Sequence, residues 1–187
     1  MSMKIIDGKE TALLLCEQVK EKVAALLKKG IEPCLAVIIV GDDPASRVYV
    51  NNKKKKCAML SIKSLEFALE ESVTQEELLQ LIKKLNADDS VDGILCQLPL
   101  PEHIDEKAVI EAISPQKDVD CFCNVNVGKL WTDKADFLPC TPAGVMKLLE
   151  RYEIGVSGKN CVIVGRSNIV GKPLAALMLA ADATVTV

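Results

Sequence analysis

The chain has 187 residues, of which 49% are hydrophobic, 26% charged and 3% aromatic, with a formal net charge of -3 at pH 7. That length and apolar share suffice for one large or two small domains with a buried core. The slight acidity excludes the clustered positive field that nucleic acid or an anionic membrane surface requires, so neither is expected as a partner. No apolar run approaches the roughly 18 residues of a spanning helix, and the opening MSMKIIDGKE lacks the apolar stretch of a secretory signal. A cytoplasmic protein follows as the expectation, its eight cysteines (16, 34, 57, 96, 121, 123, 140 and 161) reduced. Only Cys121-Phe-Cys123 is closely spaced, and with no second pair or nearby His it does not make a metal site.

From Thr11 to Lys29 the residues Leu13, Leu14, Val19, Val23, Leu26 and Leu27 recur near the helical period, which predicts an amphipathic helix stopped by Gly30. Cys34–Val40 is a continuous apolar run closed by Gly41, the pattern of a strand buried on both faces. A helix over Ala45–Leu60 and a strand over Lys63–Leu69 follow. Thr74 with Glu77 forms a capping box for a helix that carries Leu78, Leu79, Ile82 and Leu85 on one face. Val91–Leu98 reads as another buried strand, broken by Pro99 and Pro101, and Glu106–Ile113 as a short helix. Alternating strands and helices predict right-handed crossovers and a mainly parallel sheet. Beyond them, Thr141–Tyr152 is a helix with Pro142 in its first turn. A new unit then runs through strand Asn160–Val164, a loop over 165–171, helix Lys172–Ala181 and strand Thr184–Val187.

Four constellations could carry chemistry. Ser46, Tyr49 and Lys53 are spaced by three and four residues, on one face of the helix after the first strand. The start of such a helix lies at the carboxyl edge of a parallel sheet, where open α/β folds bind ligands. A phenol beside an ammonium suits acid/base work, although a solvated basic face explains the same residues and is the reading kept for Lys54, Lys55 and Lys56. Gln97 ends an apolar strand before Leu98-Pro99-Leu100-Pro101 and so presents an amide at that edge, either to a lysine or ligand or simply to backbone. Asp118 and Asp120 stand two apart in a loop, suited to a metal, to the amino edge of a heterocycle, or to a turn. Gly165-Arg-Ser-Asn-Ile-Val-Gly171 joins a strand to a helix. There glycine admits a pyrophosphate to the backbone, and Arg166 and Ser167 suit a 2′-phosphate. His103 is assigned to the surface, and Trp131 and Phe137 to packing.

Five motifs in one order resemble the bifunctional methylenetetrahydrofolate dehydrogenase/methenyltetrahydrofolate cyclohydrolase family. They are Tyr49-Val-Asn-Asn-Lys53, the stretch from Glu76–Asn86 through Asp92–Pro101, Lys117-Asp-Val-Asp120, Pro139-Cys-Thr-Pro142 and Gly165–Pro173. The resemblance implies an α/β protein of two domains. Residues 1–140 would form a folate-binding catalytic domain with a mainly parallel sheet, and residues 141–187 a linker helix and the first βαβ unit of a Rossmann-type NADP domain. It also implies a homodimer, NADP rather than NAD as cofactor, and tetrahydrofolate derivatives as substrates. Two reactions are expected: oxidation of 5,10-methylenetetrahydrofolate and hydrolysis of the methenyl product to 10-formyltetrahydrofolate. By similarity Lys53 is the main acid/base group, Tyr49 positions folate and Lys53, Gln97 orients Lys53, and Asp120 binds the pterin, with Leu98 and Pro99 beside the substrate. Gly165, Arg166, Ser167, Ile169, Val170 and Gly171 would hold the cofactor.

The chain departs from the family at Cys121, where Gly is usual, and at Cys123. A side chain at 121 is expected to shift the pterin contact or to require a negative φ. The βαβ unit of the nucleotide domain stops at its second strand, at Val187, and 187 residues are therefore taken as a cut length. Two other readings stand beside this one: a non-catalytic nucleotide-sensing module, which needs the 165–171 loop but not Tyr49, Lys53 and Gln97, and a family member that keeps one activity. A short-chain dehydrogenase would place its glycine-rich loop before Tyr-x-x-x-Lys, the reverse of the order found here.

Overall fold

A computed structural model describes residues 5–187, which divide into two compact units. The boundaries fall between Leu15 and Cys16, within helix α1 (Gly8–Leu27), and between Val119 and Asp120.

The unit of residues 16–119 is built on strand β1 (Cys34–Val40), flanked by β2 (Lys63–Leu69) and β3 (Gly93–Cys96) in the order β2-β1-β3, all parallel. Strand period two divides β1 between two cores. Ala36, Ile38 and Val40 face one side, with Ile94 of β3, and meet Leu78, Ile82 and Leu85 of α3 (Gln75–Ala87) and Val109 of α4 (Glu106–Ala112). Val37 and Ile39 face the other side, with Leu95, and meet Val50 of α2 (Pro44–Met59). Burial on both faces accounts for the unbroken apolar run, each fully buried aliphatic side chain contributing about 1.5–3 kcal/mol. The Thr74 capping box forms as the sequence indicates: the Thr74 hydroxyl accepts from the Glu77 N–H at 3.2 Å, and the Glu77 carboxylate accepts from the Thr74 N–H at 2.9 Å. The Thr74 N–H and, after it, the Thr74 hydroxyl, which donates to the same carboxylate at 2.8 Å, hold the Glu77 carboxyl below the usual carboxylate range.

Strand β3, helix α1 and helix α5 depart from the sequence expectation, each in a different way. Strand β3 is four residues rather than the expected Val91–Leu98; its ladder is flanked by the Cys34 N–H donating to the Asp92 carboxylate at 2.8 Å at one end and by a last backbone bond from Gln97 N–H to Ile38 O at 2.8 Å at the other. Helix α1 forms and closes where expected, with the Ile31 N–H reaching Leu26 O at 3.1 Å beside Gly30. Its apolar stripe is mostly uncovered, however: Val23 is buried while Leu13, Leu14, Val19 and Leu27 are exposed. A strand-free stretch of sequence after Asp120 contains helix α5 (Asn124–Trp131), which was not expected because Asn124, Asn126 and Gly128 are poor helix formers.

The unit of residues 5–15 and 120–187 holds α5, α6 (Cys140–Arg151), β4 (Asn160–Val162), α7 (Gly171–Ala180) and β5 (Thr184–Thr186). Strands β4 and β5 pair in parallel across α7, a βαβ unit in which β4 is shorter than Asn160–Val164. Val162 and Val164 are exposed, Val164 by 99%. The first turn of α1 is tied to α6 by the Asp7 N–H donating to the Tyr152 hydroxyl at 2.7 Å and by an Arg151–Glu10 ion pair at 2.8 Å. Trp131 is 51% exposed at the end of α5, which corrects its assignment to packing; Phe137 is half-buried.

Candidate functional site

Local chemistry sets the start of α2. The Asp43 carboxylate accepts the Ser46 N–H at 2.7 Å and Pro44 occupies the first turn, so the helix begins immediately after the carboxyl end of β1. That backbone bond, more than any other influence, holds the Asp43 carboxyl below its ordinary value. Asp followed by Pro is a helix-start signal present in the sequence, yet motif reasoning passes over Asp43. From this start the helical period seats Ser46, Val50 and Cys57 in the interior and leaves Tyr49 62% exposed, with Lys53 half-buried between them. Lys54, Lys55 and Lys56 are exposed, and Lys54 pairs with Glu66 at 3.0 Å. The basic run therefore separates into one inward-leaning lysine and three outer ones.

Lys53 Nζ donates to Gln97 Oε1 at 2.9 Å, joining residues 44 positions apart. The amide is fixed on its other side, where Gln97 Nε2 donates to Leu98 O at 2.7 Å. A flipped amide would set Nε2 against the lysine donors and Oε1 against a carbonyl oxygen, so both bonds select one orientation. The Leu98–Pro99 peptide is cis. A cleft of about 400 Å³ opens at the carboxyl edge of the sheet, lined by Val40, Gly41, Asp42, Asp43, Glu71, Pro99, Leu100 and Pro101. Pro99 thus takes part in both the Gln97 terminus and the cleft wall.

The two acids of the 117–120 loop have different settings. Asp118 is 3% exposed and bridges to Ile94, whose N–H donates to Lys117 O at 2.7 Å. Lys117 Nζ in turn donates to Leu85 O at 3.0 Å and Asp88 O at 2.7 Å, closing the end of α3. Asp120, half-buried, opens the second compact unit. The next residue, Cys121, is fully buried at φ +59. The expected negative φ does not occur; the thiol side chain is accommodated in the left-handed region, where a Cβ costs about 1–2 kcal/mol. Cys123 is buried and leads into α5. Among the described residues no three His, Cys, Asp or Glu side chains gather as a metal site. His103 is exposed, with Nε2 2.9 Å from Val73 O.

The 165–171 loop is determined by backbone crowding. A Cβ on Gly171 would overlap the Gly165 carbonyl oxygen and lie 2.6 Å from its carbon and 2.8 Å from Arg166 N. Gly165 itself has φ +146, a conformation open to glycine. The Ser167 hydroxyl accepts the Val170 and Gly171 N–H groups at 3.1 and 3.3 Å, folding the loop onto the start of α7. Arg166, Ser167 and Ile169 are exposed and Val170 is half-buried. A stripped backbone with an exposed guanidinium at a helix start fits an anionic dinucleotide.

Residues 6–120 match the family model for the tetrahydrofolate dehydrogenase/cyclohydrolase catalytic domain, and residues 139–187 match its NAD(P)-binding domain. The chain belongs to the tetrahydrofolate dehydrogenase/cyclohydrolase family. It is 62% identical over 187 residues to the bifunctional protein FolD of Acetivibrio thermocellus, covering 100% of this chain and 66% of that relative. The crystal structure of the bifunctional FolD enzyme of Campylobacter jejuni superposes with a TM-score of 0.97 at 54% identity, over 99% of this chain and 66% of that one. The Trypanosoma brucei enzyme, solved with NADP cofactor and an inhibitor, gives 0.94 at 38% identity, over 100% of this chain and 64% of that one. The family's two-domain α/β architecture is the one expected from the motifs. The chain spans just under two thirds of the length of these family members.

Proposed function

We propose that the full-length protein oxidises 5,10-methylenetetrahydrofolate with NADP and hydrolyses the resulting methenyl cation to 10-formyltetrahydrofolate. The observation that carries this reading is the Lys53 Nζ–Gln97 Oε1 bond of 2.9 Å, anchored by Gln97 Nε2 on Leu98 O. Lysine has only donors when charged; neutral, it keeps one lone pair. With one N–H committed to Gln97, that lone pair at Nζ takes a proton from the water that adds to the methenyl carbon. The same nitrogen returns the proton to the ring nitrogen that leaves, and the added hydroxyl gives its own proton to solvent as the formyl C=O forms, so the charge of the methenyl cation departs as one proton. Tyr49 positions the folate and Lys53, Asp120 binds the pterin, and Leu98 and Pro99 border the substrate.

Gly165, Arg166, Ser167, Ile169, Val170 and Gly171 hold the dinucleotide, Arg166 and Ser167 meeting the 2′-phosphate that distinguishes NADP from NAD. When bound, NADP accepts the hydride released by the methylene bridge. Oxidation asks for ring alignment more than for proton transfer, because the substrate nitrogen lone pair stabilises the forming cation. We assign residues 1–140 to the folate domain and 141–187 to the linker helix and the first part of the nucleotide domain. A cytoplasmic homodimer without nucleic-acid or membrane partners completes the proposal. Among the described residues no helix is long and apolar enough to cross a membrane.

Methenyltetrahydrofolate absorbance tests both steps in the full-length protein. It should rise from the methylene substrate with NADP present, and added methenyl compound should decay faster than buffer with no cofactor. A full-length protein that does neither contradicts the proposal. One that binds NADP without either reaction would be the nucleotide-sensing module instead.

A further inference from the structure

We infer that Val119, seated in the space left by the missing side chain of Gly93, is a positioning residue for the folate site. The inference rests on the proposed role of Asp120 as the pterin contact. A Cβ at Gly93 would lie 2.5 Å from Val119 Cγ1, closer than two carbon atoms can approach, and 3.3 Å from Leu35 Cδ1. The leucine end can yield by a few tenths of an ångström. Val119 yields less readily, because its β-branched side chain is restricted at χ1 and its backbone is pinned directly before it: Ile94 N–H donates to Lys117 O at 2.7 Å, and Ile94 pairs with the buried Asp118. Lys117 is held in turn on the last carbonyls of α3.

The Val119 side chain also packs on the cluster of Val37, Ile39, Val50 and Leu95. Val50 is the inward residue of α2, one position after Tyr49 and three before Lys53. One valine therefore rests on the floor beneath the catalytic helix, while its peptide continues directly into Asp120. Gly93 is required here by the volume of Val119 rather than by its own backbone conformation, so a smaller residue at 119 should remove the requirement.

The test uses three variants of the full-length protein, each with KM and kcat for cofactor-free methenyltetrahydrofolate hydrolysis and a thermal melt. Displacement of the chain leading to Asp120 weakens pterin recognition more than proton transfer. Gly93→Ala should therefore raise KM about tenfold, the value of one charge-assisted hydrogen bond, and change kcat far less. Gly93→Ala/Val119→Ala should return KM to within about threefold of wild type, since the two sites are coupled by contact. If Gly93→Ala does not fold, a folded double variant with wild-type KM supports the inference equally. An unchanged KM in Gly93→Ala overturns it, as does a double variant that is unfolded or no better than the single one. Asp120→Ala separates the two layers: if it leaves KM unchanged, the pterin role of Asp120 is wrong, whereas a raised KM there with an unaltered Gly93→Ala contradicts the Val119 inference alone.

Discussion

The Lys53–Gln97 pair and the 165–171 loop are fixed by opposite means. The first joins residues 44 positions apart and depends on a sheet covered on both faces, with α2 resting on one core and α3 and α4 on the other. The second is shaped within seven residues, by the carbonyl that excludes a Cβ at Gly171 and by the Ser167 hydroxyl that takes two N–H groups, after a strand whose Val162, like the following Val164, lies in the open. The proposed proton chemistry needs two side chains at one distance, which only a finished core supplies. The proposed nucleotide loop needs a backbone trace, which glycine and a local cap set by themselves.

If this contrast holds, damage to each region should affect different reactions. The largest effect is expected from Lys53→Ala, which should lower cofactor-free hydrolysis by about 10²–10⁴-fold, the range of a general acid/base contribution, with the thermal melt unchanged. Wild-type decay of methenyltetrahydrofolate in that variant would remove Lys53 from its role. A smaller effect is expected from Arg166→Ala: NADP affinity should fall about tenfold through loss of a charge-assisted contact, while NAD binding and cofactor-free hydrolysis stay as they were. Equal losses for NADP and NAD in a titration would argue against a 2′-phosphate contact.

The same contrast explains what could be read from the sequence. β1 was legible to the residue because burial on both faces leaves an unbroken run, Cys34–Val40, and the Thr74 box because capping chemistry is local. The glycine loop was legible for the same reason. That Gln97 lies at the carboxyl edge, open to a lysine, a ligand or backbone, followed from its place after an apolar strand; that the lysine is Lys53 came only with the resemblance, since spacing along the chain says nothing of a contact across a sheet. Helix α5 escaped because Asn124, Asn126 and Gly128 disfavour it, and it persists with Asn126 and Leu130 buried in tertiary packing. Trp131 misled in the other direction, being large and apolar yet half in solvent. At Cys121 residue type indicated either a shifted pterin contact or a negative φ; the second does not occur, the fully buried residue adopting φ +59. Gly93 gave no sign at all, because its requirement comes from Val119, which lies 26 residues away in the sequence.

The separation of the two regions is tested most directly by Gly171→Ala in the full-length protein, measured in both reactions on one preparation. The added methyl group collides with the Gly165 carbonyl, a backbone atom, so the loop must open. NADP-dependent formation of methenyltetrahydrofolate should then fall steeply while its cofactor-free hydrolysis proceeds at the wild-type rate. A parallel loss of hydrolysis in a variant that melts like wild type would contradict the account.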